Sequence, residues 1–328
     1  MSTCKLKTNS TKAKTCDSYI GCGMCGLPEM FRCVEYIEKF EPRLSHSGIT
    51  SFLRCPQLYY YSNIMGLQVK PQFQSDALKI GSAVDDYITN ILLGGEPTED
   101  TVLLNDEIKT MWEAKAIAII RAFNKLMNLK AIKKYFTGQR EFLIQNDGQP
   151  SIKGFIDLHA ATGKQFVELK VGNPDYYIHL FYIRSKLAAY FMSLDTYETG
   201  VVWAIRRPDL KRTGNYKNES LEDFSDRCYK RMIKEVKYYF PGYNRKSGNF
   251  GVRFGRAEID LDATMKQYRI VADYIKLAVK QNTWVKNGTG CLHPFECDYL
   301  PICQNNGAIS EDVFTRRKKE SKREKIQS

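Results

Sequence analysis

The 328-residue sequence lacks any apolar run that approaches the ~18 residues a membrane-spanning helix needs. Its first fourteen residues are polar and contain four lysines, so the apolar stretch of a secretory signal peptide is missing as well. The sequence also shows no internal repeat. These absences favour a cytoplasmic protein that does not associate with a membrane.

Positive charge is concentrated at the two ends of the sequence. The formal net charge is +12, and residues 1–14 contribute +4 while residues 316–325 contribute +5. The body of the chain therefore carries only about +3, which weakens any argument from overall basicity to a nucleic-acid channel. The two ends are either solvated, disordered segments or segments that contact phosphate backbones.

Apolar periodicity places helices on both sides of a central group of strands. The pattern predicts strands at residues 141–145, 152–159, 165–171 and 200–206, and helices at 78–93, 106–129, 175–194 and 261–281. A four-residue turn joins the strands at 152–159 and 165–171, which predicts a hairpin. The sequence is therefore typical of an α/β or α+β fold.

The segment FVELKVG, residues 166–172, places a carboxylate and an ammonium group inside an apolar strand. Because side chains alternate between the two faces of a strand, Glu168 and Lys170 share one face. Asp157 lies on the partner strand of the predicted hairpin. Two carboxylates can hold a hard cation such as Mg²⁺, and a lysine can orient the attacking water. This combination indicates a phosphodiester-hydrolysing site, although a Glu-x-Lys pair alone is also common on solvated strand faces.

The order of these elements resembles the core of the PD-(D/E)XK nuclease superfamily. The strand IKGFIDL carries a Gly-x-x-Asp motif that ends at Asp157, and the next strand carries Glu168-x-Lys170. The resemblance implies a restriction-endonuclease-like α/β fold with a central mixed β-sheet flanked by helices. It also implies catalysis by Asp157, Glu168 and Lys170, with Mg²⁺ or Mn²⁺ as the metal and DNA as the substrate.

Further segments resemble the RecB-like and AddB-like branch of iron-sulfur exonucleases. SHSGITSFLRCPQLYYY, residues 45–61, is similar to its first helix, and GSAVDDY is similar to its Gly-x-x-x-His motif, with Asp85 in place of the metal-binding histidine. KLAAY is similar to its Gln-x-x-x-Tyr motif, with Lys186 in place of glutamine and Tyr190 retained. Lys186 is either a contact for DNA phosphate or a surface lysine, and Tyr190 either stacks on bases or packs in the core.

Four of the ten cysteines have the distribution of cluster ligands. CLHPFECDYLPIC contains Cys291, Cys297 and Cys303, and Cys55 stands alone near the other end. Four thiolates are the usual ligand count of a 4Fe-4S cluster. In the resembling branch such a cluster joins the N-terminal and C-terminal segments of the nuclease. The spacing leaves zinc as an alternative, and buried cysteines without a metal are a second one.

A second group of cysteines lies in the first tenth of the sequence. Cys22-Gly-Met-Cys25 has the form of a metal-binding knuckle, and Cys16 and Cys33 could complete the ligand set. The hypotheses for this group are a second zinc or iron-sulfur site, or free thiols on a polar arm.

The resemblance divides the chain into three parts and predicts its function. Residues 1–40 form a cysteine-bearing arm, residues 41–308 a RecB-like nuclease domain closed by the iron-sulfur cluster, and residues 309–328 a basic tail. The predicted function is a metal-dependent DNA exonuclease that acts on ends or single strands in recombination, repair or phage DNA processing. A recombination or replication protein would be its partner. The alternatives are a catalytically reduced DNA-binding subunit of a larger complex and an electron-transfer protein.

Overall fold

The computed structural model of the protein describes residues 42, 44–94, 107–145, 150–175, 181–292 and 296–317. The predicted arm at residues 1–40, with Cys16, Cys22, Cys25 and Cys33, lies outside these ranges. The chain divides into two compact units. The described residues within 42–73, 145–152 and 265–317 form the terminal unit, and those within 74–144 and 153–264 form the sheet unit.

The helices and strands have the following bounds in chain order. The α-helices are α1 (His46–Arg54), α2 (Pro56–Tyr59), α3 (Asp76–Thr89), α4 (Met111–Leu126), α5 (Leu129–Tyr135), α6 (Phe181–Ser193), α7 (Leu221–Lys234), α8 (Val236–Tyr239), α9 (Leu261–Gln281) and α10 (Leu300–Gln304). The strands are β1 (Leu67–Val69), β2 (Phe136–Thr137), β3 (Arg140–Ile144), β4 (Ile152–Ile156), β5 (Leu158–Ala160), β6 (Gln165–Gly172), β7 (Thr199–Arg206), β8 (Val252–Gly255) and β9 (Phe314–Arg316).

The sheet unit is built on a five-stranded sheet with the order β2-β5-β6-β7-β8. β6 and β7 are parallel, with Glu168 opposite Val202, while the other neighbouring strands pair antiparallel. Parallel strands need a crossover connection, which includes α6 here. The sheet is therefore mixed and flanked by helices, and the predicted α/β, restriction-endonuclease-like architecture is confirmed.

The central strands are apolar because both of their faces are covered. Residues 200–205 of β7 are all buried, as expected for a strand in the middle of a covered sheet. On one face, Val167 and Leu169 of β6 pack in a core with residues of α3 and α4. Each of these two helices has a hydroxyl N-cap: Ser75 accepts a hydrogen bond from the Leu78 amide, and Thr110 forms a capping box with Glu113.

The structure divides one predicted strand into two, and the break falls at a predicted site residue. Residues 152–159 were expected to form a single strand, but β4 ends at Ile156 and β5 begins at Leu158. β4 pairs with β3, whereas β5 pairs with β6 as the predicted hairpin partner. The break falls at Asp157, whose Oδ2 accepts a hydrogen bond from the Leu169 amide at 2.7 Å. The carboxylate thus satisfies an amide that the strand ladder does not reach.

The terminal unit includes α1, α2, α10, most of α9 and a short two-stranded sheet. α1 begins after Ser45, whose hydroxyl accepts a hydrogen bond from the Gly48 amide. β1 pairs antiparallel with β9, and the buried residues around them include Tyr61, Cys297 and Tyr299. Within the described ranges, no helix is long and apolar enough to span a membrane.

Candidate active site and cysteine cavity

Glu168 is the centre of the candidate active site. Its side chain is 0% exposed although it carries a carboxylate. Oε1 contacts the ammonium groups of both Lys170 and Lys186, the latter at 2.5 Å, and Oε2 accepts a hydrogen bond from the Tyr190 hydroxyl at 2.7 Å. Burial alone would raise the pKa of Glu168, but the two ammonium groups outweigh this effect and lower the pKa to about 2. Glu168 is therefore a buried anion held by three donors.

The two lysines reach Glu168 from different elements. Lys170 lies two residues further along β6, on the face that the alternation of strand side chains predicts, and its Nζ also donates to the Leu169 carbonyl at 2.9 Å. Lys186 lies on α6. Their side chains are 21% and 19% exposed. Of the two hypotheses for Lys186, the surface lysine disagrees with the structure, because the side chain is largely covered and paired with the central carboxylate. The contact with DNA phosphate stays a prediction.

Two more carboxylates lie within electrostatic reach of Glu168. Burial, followed by the charge of Glu168, raises the pKa of Asp157 to about 8. Burial also raises the pKa of Asp85 on α3 to about 6, against the lowering effect of Lys170. Gln139 donates a long hydrogen bond of 3.5 Å to Asp85 Oδ2. Because each of these acids influences the others, Asp85, Asp157 and Glu168 form one electrostatic unit.

Tyr190 is a positioning residue inside the core. It is 1% exposed, which agrees with the hypothesis of core packing and not with that of base stacking. Its hydroxyl contacts Glu168 Oε2 and also the Phe155 carbonyl at 2.6 Å, and one hydroxyl proton is shared between these acceptors. The Tyr190 ring packs edge-on against Phe142, with ring centroids 5.6 Å apart. This contact fixes the ring whose hydroxyl holds Glu168.

Sequence reasoning missed the role of Phe142 and the reason for Gly154. A Cβ atom on Gly154 would lie 2.6 Å from Phe142 Cζ, so only glycine leaves room for this ring in its present position. Gly154 belongs to the Gly-x-x-Asp motif, which was the available signal. The periodicity of β3 marks Phe142 as a core residue but does not reveal its contact with Tyr190.

We call Asp85, Asp157, Glu168, Lys170 and Lys186 the carboxylate-lysine cluster. All five residues come from the sheet unit, and all five were predicted site residues. Nevertheless, among the described residues no group of three or more histidine, cysteine, aspartate or glutamate side chains is arranged to hold a metal ion. In this structure the ammonium groups of the two lysines are the cations that contact Glu168. Carboxylates are nevertheless the ligand type that Mg²⁺ and Mn²⁺ prefer, and the cluster contains three of them.

The four cysteines predicted as cluster ligands line one cavity in the terminal unit. This cavity, which we call the cysteine cavity, has a volume of about 210 Å³. Its lining includes Cys55, Cys291, Cys297, Cys303, Leu58, Tyr61, Lys286, Tyr299 and Leu300. Burial raises the pKa of Cys297 and of Cys303, and Tyr61 is a hydrogen-bond partner of Cys303. These positions agree with the prediction that Cys55 lies close to the three cysteines near the other end of the sequence.

Hydrogen bonds fix the loop that carries Cys291 beside Cys55. The Asn287 amide points at Cys55 Sγ at 3.5 Å, and Asn287 Nδ2 donates to the Arg54 carbonyl at 2.9 Å. Arg54 Nε donates in return to the Gly290 carbonyl at 2.8 Å. A Cβ on Gly290 would lie 2.7 Å from the Arg54 carbonyl oxygen, which explains the glycine. The cysteine cavity is therefore held together by hydrogen bonds between distant parts of the chain.

A comparison with family models finds one match that includes four of the five cluster residues. Residues 43–175 match the family described as the PD-(D/E)XK nuclease superfamily. A domain of this superfamily lies at residues 43–175. The predicted resemblance is confirmed at the level of the superfamily, and such a domain indicates a nuclease. Lys186 and Tyr190 lie beyond the matched residues, so their place at the site comes from the structure. The RecB-like and AddB-like branch stays a prediction.

Comparisons with curated proteins and with solved structures give no further assignment. No curated protein matches the chain. One similar solved structure is named "Crystal structure of SSO0001"; it shares 16% sequence identity, and the alignment covers 64% of this chain and 84% of that one. The TM-score is 0.28, and at that value the likeness supports no statement about fold or function.

Proposed function

We propose that the protein is a metal-dependent DNA exonuclease of the RecB-like and AddB-like type. The observation that carries the proposal is the convergence of Asp157, Glu168 and Lys170 in the sheet unit, inside a domain of the PD-(D/E)XK nuclease superfamily. Asp157 and Glu168, with Asp85, would hold Mg²⁺ or Mn²⁺. The bound cation would polarise the scissile phosphodiester and lower the pKa of an attacking water.

The protein's own groups have distinct tasks in this proposal. Lys170 would orient the attacking water and offset charge on the phosphate, because its ammonium lies beside the central carboxylate. Tyr190 keeps the Glu168 carboxylate in one orientation. Linear or single-stranded DNA would be the substrate, and recombination, repair or phage DNA processing the setting. That setting, like a recombination or replication partner protein, rests on the resemblance of the sequence.

A 4Fe-4S cluster in the cysteine cavity is part of the proposal. Four cysteine side chains around one cavity, with a backbone amide directed at one sulfur, fit the requirements of such a cluster. A single zinc ion needs its thiolates about 2.3 Å from one point. Zinc held by the same four thiolates is the alternative. Cys55, Cys291, Cys297 and Cys303 would hold it, within a nuclease domain at residues 41–308.

A nuclease assay with a matched pair of variants tests the proposal. Glu168→Gln removes the central charge, while Glu198→Gln makes the same change at an exposed ion pair with Lys164. We expect Mn²⁺-dependent digestion of end-labelled linear DNA by the wild type and by Glu198→Gln, with circular DNA resistant. Glu168→Gln should lose at least about 1,000-fold in rate, equivalent to about 4 kcal/mol of barrier.

One observation favours a second candidate, a DNA-binding subunit with reduced catalysis. Both oxygens of Glu168 already have donors from Lys170, Lys186 and Tyr190, and no described group is arranged to hold a metal ion. In the same assay this candidate predicts DNA binding without Mn²⁺-stimulated cleavage by any form of the protein. That result would contradict the exonuclease proposal.

A further inference from the structure

The carboxylate-lysine cluster contains its own positive charge. Its three carboxylates and two ammonium groups sum to a formal charge of −1 when all are ionised. Lys170 and Lys186 contact the same oxygen of Glu168, and the charge of each also reaches Asp85 and Asp157. A site with one lysine would carry −2 and would attract a divalent cation more strongly.

Lys186 differs from Lys170 in how it reaches Glu168. Lys170 is part of the same strand as Glu168, and its ammonium also donates to the backbone of β6. Lys186 extends from α6, its ammonium lies 2.5 Å from Glu168 Oε1, and it also lies 5.5 Å from the centre of the Tyr190 ring. The long, flexible lysine side chain can withdraw from Oε1 without any change in the strand.

We propose that Lys186 is a tethered cation that competes with the divalent metal for Glu168. In the metal-free protein the Lys186 ammonium neutralises the buried carboxylate. A cation that binds Glu168 must displace this ammonium from Oε1, because Lys170 and Lys186 already occupy that oxygen and a divalent cation beside both ammonium groups would be strongly repelled. Lys186 thereby weakens metal binding and keeps the empty cluster stable. This inference rests on the proposed function and adds a determinant of metal affinity to it.

Metal affinity measured without DNA tests the competition directly. We would titrate Mn²⁺ into the full-length protein and follow binding by calorimetry for Lys186→Gln, Lys186→Arg and the control Lys164→Gln, whose exposed ammonium pairs with Glu198. We expect Lys186→Gln to bind Mn²⁺ about tenfold more tightly than the wild type, equivalent to about 1.4 kcal/mol. The affinity of Lys164→Gln should stay at the wild-type value, because Lys164 lies outside the cluster. Lys186→Arg keeps the charge, so it should bind Mn²⁺ no more tightly than the wild type. Equal or weaker binding by Lys186→Gln overturns the inference.

Glu168→Gln separates this inference from the proposed function. If the wild type binds no more Mn²⁺ than Glu168→Gln does, both the metal-dependent nuclease and the competition are overturned. If binding depends on Glu168 but Lys186→Gln binds no more tightly than the wild type, only the competition is overturned.

A second measurement uses the wild-type protein and does not depend on how any variant folds. Amine labelling followed by mass spectrometry reports the reactivity of each lysine with and without Mn²⁺. We expect labelling of Lys186 to rise at least twofold when Mn²⁺ is added, while the exposed Lys164 stays unchanged. Labelling of Lys186 that is insensitive to Mn²⁺ overturns the inference.

Discussion

The carboxylate-lysine cluster and the cysteine cavity are both candidate metal sites, but their candidate ligands differ in the contacts that they make within the protein. In the cluster, Glu168 has partners of opposite charge at hydrogen-bond distance. In the cavity, Cys55 Sγ has long contacts to backbone groups, at 3.5 Å from the Asn287 amide and 3.8 Å from the Val285 carbonyl. The carboxylate-lysine cluster can therefore stay formed without a metal, whereas a metal bound in the cysteine cavity would give Cys55 Sγ a stronger partner than these backbone groups.

The two sites also differ in how the chain brings their residues together. Asp157, Glu168 and Lys170 lie within a short stretch of sequence and meet through the pairing of β5 with β6. Cys55 and Cys291 are 236 positions apart, as are Arg54 and Gly290, which form the hydrogen bond beside them. Loss of a bound metal should therefore disturb the cysteine cavity more than the carboxylate-lysine cluster. The cavity joins segments that are far apart in the sequence, and closing such a long loop costs more conformational entropy.

The largest expected effect is the loss of iron on removal of one cavity cysteine. Cys297→Ala should lower the iron content of anaerobically purified protein from about four atoms per chain to near zero. The free energy of unfolding should fall by more than about 3 kcal/mol, because metal binding is coupled to folding. Metal analysis and urea unfolding measure the two effects.

The matched control for this variant is Cys228→Ala. Cys228 is fully buried in α7 beside Phe224 and does not line the cysteine cavity. Its loss should leave the iron content unchanged. Equal iron content in both variants, or a wild-type protein without iron, would show that Cys297 is not a ligand of an iron-sulfur cluster in the cysteine cavity.

An intermediate effect is expected from pH on the metal-free cluster. Since the pKa of Asp157 is raised to about 8 from an ordinary value of 3.8, the folded protein holds a proton that the unfolded chain releases between these values. Folding therefore binds protons in this range, and Asp157's contribution to stability falls as the pH rises from 4 to 8. Between pH 5 and pH 8 with a chelator present, we expect a loss of about 3 kcal/mol.

Asp157→Asn provides the control for the pH experiment. The amide does not titrate, so urea unfolding of this variant should show a weaker fall in stability over the same range. Parallel pH profiles for the variant and the wild type would show that Asp157 does not titrate as described.

The smallest effect is expected from Gly154→Ala, which acts on the cluster through packing. The new methyl group would displace the Phe142 ring and with it the edge-on contact to Tyr190. We expect a loss of about 1 to 2 kcal/mol in the free energy of unfolding, as for other overpacked cores. Gly81→Ala on α3, where no atom lies within 4 Å of the added Cβ, should be neutral or slightly stabilising. Similar results for both variants would exclude the proposed role of Gly154.

Local sequence patterns predicted much of the sheet unit, because strand alternation is a local property. The shared face of Glu168 and Lys170 follows from their spacing of two, and the apolar run 200–205 indicates a covered strand. The break between β4 and β5 could not be predicted in this way, since it depends on a hydrogen bond from the Leu169 amide to a side chain twelve residues away.

The contacts that Lys186 and Tyr190 make with the buried Glu168 carboxylate could not be predicted from the sequence. The Lys186-x-x-x-Tyr190 spacing places both residues on one face of a helix, but it does not say what that face contacts. Only the packing of α6 beside β6 decided that Lys186 is an ion-pair partner and that Tyr190 is a buried donor.

The sequence by itself determined the α/β class, the acid-and-lysine motif of the superfamily and the set of four cysteines. Side-chain chemistry and spacing along the chain are enough for these features. The tertiary structure decided that two lysines share one carboxylate oxygen and that Cys55 lies beside Cys291. Such contacts depend on which elements pack together, because charge pairing and burial act through space rather than along the chain.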